Sequence, residues 1–270
     1  MPEFAPLFER PLAPAEVEAH LYALETSGFS LFEGFLDAQA CASLKDRLQR
    51  ALDSYAPGSS EQSLLDRYLM HDLLARDAIF GRLIEDPRLQ QLVAPLLGDH
   101  WILYAFTSSS LPPGGTNYGG RIHTDSPRFF GPHAFNIGLV WALDPFTREN
   151  GGTHLLPGSH HSPLTPADAF FETHRIQVEC PAGSLLVFNA RLFHRAGQNG
   201  TSSWRHALTL NACRSFMKPR LDWVRMIPPA LLDGFGPQAR RLVGFDTRVP
   251  TSMEEFFLPA DQRLYKPNQG

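Results

Sequence analysis

Five runs of β-forming residues between positions 101 and 212 constrain this chain most. They are Trp101–Thr107, Phe135–Trp141, Ile176–Glu179, Ser184–Phe188 and Trp204–Ala212, each bounded by Gly, Pro, Asn or Ser. Branched and aromatic side chains suit a pleated, half-buried surface. Short strands separated by turn signals predict a β-sandwich or barrel.

The first hundred residues read as helices. Pro14 to Thr26 carries Val17, Leu21 and Leu24 on one face, and Gly28 stands where a C-terminal cap belongs. A short extended piece, Phe29–Phe32, follows. Asp37 is placed to cap a second helix running to about Tyr55, with Cys41, Leu44, Leu48, Leu52 and Tyr55 along its apolar stripe. Residues 56–63 form a turn-rich loop, and Leu64 to Glu85 predicts one or two short helices. Pro87 suits the first position of a helix ending near Gly98. Helices first and strands afterwards give an α+β, mainly β, chain. No repeat or linker divides it. We therefore expect one domain: helical support over about 14–98, a β core over about 101–216, and an irregular C-terminal wrap or lid over about 217–270.

Bulk properties narrow the partners. The net charge of −4 and pI near 6.2 disfavour nucleic acid and anionic membranes. No apolar run reaches the length of a membrane span, and the N-terminal residues lack the pattern of a signal peptide. Cys41, Cys180 and Cys213 are three and far apart, which predicts buried free thiols and a cytoplasmic setting. Oligomeric state is not legible.

The chemistry concentrates after the glycine-rich run 112–120. His123-Thr124-Asp125 places an imidazole and a carboxylate two residues apart, on one face of an extended segment. With 11 His and 15 Asp in 270 residues, chance supplies such a triplet about 0.6 times, so it needs corroboration. His194 follows the Ser184–Phe188 strand and adds a distant imidazole. Two His and one carboxylate make the set that suits Fe(II) and leaves positions open for a co-substrate and O2. Neither HExxH nor paired cysteines occur, which disfavours a zinc hydrolase. Arg205, 11 residues past His194, returns along the adjacent strand with a guanidinium able to grip a carboxylate. The run Glu149 to His160 combines an Asn-Gly-Gly turn with a Pro-Gly-Ser turn.

On these residues the chain resembles the phytanoyl-CoA dioxygenase family of Fe(II)/2-oxoglutarate-dependent oxygenases. The resemblance rests on His123-Thr124-Asp125, the double-turn run 149–160, Gly183 to Phe188 leading into His194, the spacing to Arg205, and the segment Lys218–Trp223. It covers roughly residues 20 to 250. It implies a double-stranded β-helix (jelly-roll, cupin-like) core with the N-terminal helices packed outside. It also implies Fe(II) on His123, Asp125 and His194, and 2-oxoglutarate held by Arg205, with Trp141 lining the co-substrate pocket. Some members carry a hydroxyl residue two positions after the distal His. Here that position is Ala196, and Ser110 is the candidate replacement donor. Related halogenases lack the carboxylate, so Asp125 points to hydroxylation, desaturation or cyclisation rather than halogenation.

Candidate substrate contacts are Asn117, Arg121, Phe129, Phe130 and His133 around the ligand pair, and Trp223 in the C-terminal region. They predict a sizeable, partly apolar small molecule, as in natural-product tailoring. His160 and His161 read as supports of the turn. The competing reading is a metal-free jelly-roll protein that binds a small molecule without catalysis.

Overall fold

Strands form almost where the β-forming runs lie. The computed structural model describes residues 10–55, 68–126, 128–131, 133–245 and 249–263. Its strands are β1 (Phe29–Phe32), β2 (Ile102–Ser108), β3 (Asn136–Ala142), β4 (His154–Leu155), β5 (Ile176–Gln177), β6 (Leu185–Asn189), β7 (His194–Arg195) and β8 (Ala207–Cys213). A five-stranded sheet has the order β1-β6-β3-β8-β2, and a three-stranded sheet the order β5-β4-β7. All pairings are antiparallel. Two apposed sheets with these crossovers make the expected jelly roll, flanked by helices.

Both faces of the large sheet are buried, so its strands read as continuous apolar runs. One set of alternate residues, Ile137, Leu139 and Trp141 on β3 with Leu185 and Val187 on β6, joins a core shared with the N-terminal helices. The other set, Val140 and Ala142 with Leu186 and Phe188, packs against Phe146, Leu155, Val178 and Leu192 between the two sheets. The period of two assigns each residue to one core only.

The helices begin and end for local reasons. Helix α1 (Pro14–Thr26) has Pro at its start, and the Glu16 carboxylate accepts from the Ala13 N–H at 2.7 Å. Gly28, at φ +85°, closes it by donating its N–H to Ala23. Asp37 caps α2 (Ala38–Asp53) by accepting from the Ala40 N–H. Cys41, Leu44 and Leu48 of α2 are buried as its stripe predicts. Within the described part of 64–85 there are a 3-10 turn, Leu73–Ala75, and α3 (Ala78–Leu83). The loop 56–63 and residues 64–67 lie outside the described residues. Helix α4 (Pro87–Leu97) starts at Pro87 and stops before Gly98, at φ +92°.

Among the described residues of the C-terminal region, four short helices, at Trp223–Met226, Pro229–Leu232, Pro237–Leu242 and Met253–Phe256, punctuate longer irregular stretches. Two of the prolines that break up the sequence sit in the first turns of these helices, where no N–H is needed. Trp223, Ile227, Phe235, Ala239 and Leu242 join the helix-side core. The three cysteines are free and buried. Burial pushes the Cys41 thiol up to about 11 and the Cys213 thiol to about 12, which suits inert packing.

Candidate metal centre and co-substrate cavity

A two-residue bridge brings the distant parts of the site together. The backbones of His123 and His194 exchange hydrogen bonds of 3.0 and 2.9 Å, which extends the small sheet by one residue. Directly opposed residues project to the same face, and the two imidazole centroids lie 4.3 Å apart. Asp125, two residues on, turns its Oδ1 to within 3.6 Å of His123 Nε2 and 3.8 Å of His194 Nε2. One ligand atom from each residue lies within 4.8 Å of the others. Ligands about 2.1 Å from a shared ion stand about 3.0–3.5 Å apart, so a small inward movement closes the set.

The surroundings prepare these three groups for a cation. His123 Nδ1 lies 2.7 Å from the Arg121 carbonyl, and His194 Nδ1 lies 2.9 Å from the Leu192 carbonyl. A carbonyl only accepts, so both Nδ1 atoms carry the proton and both Nε2 lone pairs face the carboxylate. Burial, reinforced by the neighbouring His123, lowers His194 to about 4 and keeps it neutral. Asp125 Oδ2 accepts from Asn211 Nδ2 at 3.2 Å, and Asn211 Oδ1 accepts from Asn136 Nδ2 at 3.0 Å. Both asparagines are buried, on neighbouring strands. The Phe188 ring packs 4.7 Å from His194. It lies flat across Gly138, where a Cβ would come within 2.3 Å of it.

The triad opens into a cavity of about 330 Å³ that Arg205 also borders. Arg205 is 2% exposed. Its Nη1 donates to the Ser109 carbonyl at 3.4 Å and its Nη2 to the Gly151 carbonyl at 3.3 Å. Its Nε is buried with no partner, and no carboxylate among the described residues pairs with it. Burial drives its pKa down to about 10. Asp144 offsets this only from a distance, without an ion pair, and a buried guanidinium so placed awaits an anion. The Asn-Gly-Gly turn explains part of its placement. Gly151, at φ +84°, offers its carbonyl to Arg205 and packs against Gly197, where a Cβ would meet Gly151 Cα at 2.8 Å.

Several expectations are corrected. Trp141 does not line the cavity: it faces the helix-side core, 6.2 Å from Phe106, and its neighbour Val140 borders the cavity instead. Ser110 is turned away, with its hydroxyl 2.9 Å from His206 Nδ1, whereas Ser109 borders the cavity. Asn117 spends its amide on the Ser110 carbonyl and the Gly119 N–H, within the loop. Trp223 is 1% exposed, in the helix-side core. Phe130 and His133 border a separate cavity of about 290 Å³, and Phe129 is exposed, beside Arg191. Arg121 does border the metal cavity. The His160 and His161 rings pack against each other at a tilt of 38° and approach the Glu25 carbonyl at the end of α1.

Other residues of the site escaped the sequence reading. Asn136 and Asn211 carry a signal, because asparagine is disfavoured in strands and each interrupts an apolar run. Tyr104, Thr107, Tyr118, Thr209 and Arg220 border the cavity without any motif.

A jelly roll with two imidazoles and one carboxylate bordering one cavity with a buried arginine defines a non-heme metal oxygenase. The profile of the phytanoyl-CoA dioxygenase family matches residues 24–207. The chain belongs to this family, and it is an Fe(II)/2-oxoglutarate-dependent dioxygenase. An uncharacterized protein of Mycobacterium tuberculosis is 30% identical over 256 residues, covering 92% of this chain and 94% of its own. The Fe(II)/2-oxoglutarate-dependent dioxygenase nvfF of Aspergillus novofumigatus is 26% identical over 245 residues, 83% and 80% of the two chains. Among solved structures, the epimerase SnoN, in complex with Fe3+, alpha ketoglutarate and nogalamycin RO, shares the fold. Its TM-score is 0.61 at 22% identity, over 74% of this chain and 84% of that one. No helix among the described residues is long and apolar enough to cross a membrane.

Proposed function

We propose that His123, Asp125 and His194 hold Fe(II), that Arg205 grips the far carboxylate of 2-oxoglutarate, and that the enzyme oxidises an unactivated C–H bond of a small, partly apolar metabolite in natural-product tailoring. The observation that carries this reading is Arg205, buried without an acidic partner in the cavity that the metal ligands share. Together with O2 and 2-oxoglutarate, bound ferrous iron supplies the oxidising power such a bond requires. The protein orients and excludes water. The two carbonyls at Nδ1 fix the imidazoles, the asparagine pair fixes Asp125, and Val140, Phe188 and Ala105 give the substrate an apolar wall. SnoN, solved with nogalamycin RO, supports a natural product as the substrate class. The presence of every ligand and of Arg205 favours catalysis over a silent binding protein.

The test is an anaerobic titration with Fe(II) and 2-oxoglutarate, followed by exposure to air with pooled metabolites. A charge-transfer band, succinate formation and a product heavier by one oxygen or lighter by two hydrogens are expected. No band and no succinate with any pool rejects the proposal.

A further inference from the structure

We infer that the substrate carries a carboxylate, held at the outer end of the cavity by Arg220 and Arg121 with the Tyr104 hydroxyl beside them. This deepens the proposed function and rests on it.

Charge balance is the first argument. Among the described residues, the only acid bordering the cavity is Asp125, against three arginines: Arg205, Arg121 and Arg220. Ferrous iron (2+), Asp125 (1−), two neutral imidazoles, Arg205 (1+) and 2-oxoglutarate (2−) sum to zero. Arg121 and Arg220 therefore remain as an excess of two positive charges in the loaded enzyme. The chain as a whole carries −4, so this excess is local.

The partners of those side chains are the second argument. Among the described residues neither arginine pairs with a carboxylate. The Arg121 guanidinium lies 3.6 Å over the Tyr118 ring and has one long hydrogen bond, from Nε to the Tyr118 carbonyl at 3.4 Å. Stacking fixes its plane and leaves both Nη groups available. Arg220 is tied through its backbone alone, its N–H donating to the Tyr104 carbonyl at 3.0 Å.

Tyr104 is the third. It sits at a β-bulge: Leu103 pairs with Ala212 and Ala105 with Asn211, which leaves Tyr104 without an opposite residue. Bulges re-aim a side chain next to a site, and this one turns a phenol to the cavity beside the loop that carries Arg220. Two guanidiniums and one phenol match one carboxylate, and the apolar surface that Leu69, Ala105, Val140 and Phe188 give the same cavity suits a hydrocarbon body. Exposed cations also steer an anion into a cleft.

The experiment uses the full chain, anaerobic, saturated with Fe(II) and 2-oxoglutarate so that Arg205 is engaged. The probes are decanoic acid, methyl decanoate, decyl phosphate and decylamine, with 4-phenylbutanoic acid and its methyl ester, read by thermal shift and by displacement of the Fe(II)–2-oxoglutarate band. The acids are expected to bind at least 10-fold more tightly than their esters and the amine, with an affinity that falls as salt rises. Arg220→Gln and Arg121→Gln each weaken acid binding about 10-fold, while the separate 2-oxoglutarate titration moves less than 2-fold. Preference for decyl phosphate over both acids assigns the pair to a phosphate ester and overturns the carboxylate. No acid binding better than its ester, including the case where none binds, overturns the proposal. Repeating the acid–ester comparison on metal-free Arg205→Met protein separates the two levels of argument. Acid preference that survives there belongs to the outer pair even if the co-substrate reading fails. Preference that vanishes there and is unaffected in Arg220→Gln places the acid at Arg205 and refutes the outer site.

Discussion

Replacing Arg205 by methionine tests whether its guanidinium is kept for a ligand or for the fold. The fall of its pKa from the ordinary guanidinium value to about 10 corresponds to about 3 kcal/mol of charge burial in the ligand-free protein. Against that stand two long hydrogen bonds, of 3.3 and 3.4 Å, and a Phe146 ring at 4.6 Å, together about 1–3 kcal/mol. Methionine nearly conserves the volume. The ligand-free variant is therefore expected to melt no more than a few degrees below the wild type, or above it, since about 1 kcal/mol moves Tm by about 2–4 °C at this size. Co-substrate binding behaves in the opposite way. Removing one member of a buried charge pair costs about 2–5 kcal/mol, so half-saturation by 2-oxoglutarate rises ~30-fold or more, and 2-oxoglutarate no longer raises Tm. Differential scanning fluorimetry with and without the co-substrate, beside a succinate assay, reads both effects. A variant that melts more than about 8 °C lower and keeps its 2-oxoglutarate requirement refutes the reasoning, because Arg205 then serves the fold.

Three further outcomes are expected. Asn211→Leu removes the donor to Asp125 and weakens Fe(II) binding ~10–100-fold by metal titration; unchanged affinity takes the asparagine pair out of the metal site. Gly138→Ala drives a methyl group into the Phe188 ring, and through it into His194; it costs about 1–3 kcal/mol and disturbs the metal spectrum, whereas a variant with unaltered melting and spectrum denies the contact. His20 lies below its ordinary value of 6.5 because it is buried, with Nε2–H on the Leu92 carbonyl and Nδ1 by the Ser30 hydroxyl. As pH falls through 6.5 the unfolded chain takes up this proton first, so stability drops as pH falls further. Melting curves from pH 7.5 to 5 are therefore steeper for the wild type than for His20→Gln, and equal slopes contradict this.

The sequence made the ligands legible and left the faces of the strands obscure. His123, Asp125, His194 and Arg205 stood out because few residue types perform their chemistry and turn residues frame them. The side that Trp141 faces is not legible because both faces of β3 are buried. An apolar run such as Ile137–Trp141 has no polar alternation from which to read parity. Ser110 as the replacement donor has no parity to rest on, because the bulge at Tyr104 interrupts the alternation of β2 and Ser109 takes the place on the cavity. The C-terminal helices have four to six residues, too short for a period of 3.6 to emerge. Trp223 reads as a substrate contact because nothing in its local sequence announces the distant core that receives it.

The bulge at Tyr104 also bears on how such an enzyme changes over generations. A residue paired on both sides is bound to its neighbours' choices, and altering it disturbs a ladder. Tyr104 has no opposite number across β8, so mutation there can try new side chains in the cavity while Leu103 and Phe106 go on filling the core. Preference for one substrate over another can drift at this position with little debt to folding. A family that serves many chemistries gains from having such a free letter in an otherwise closely spelled strand.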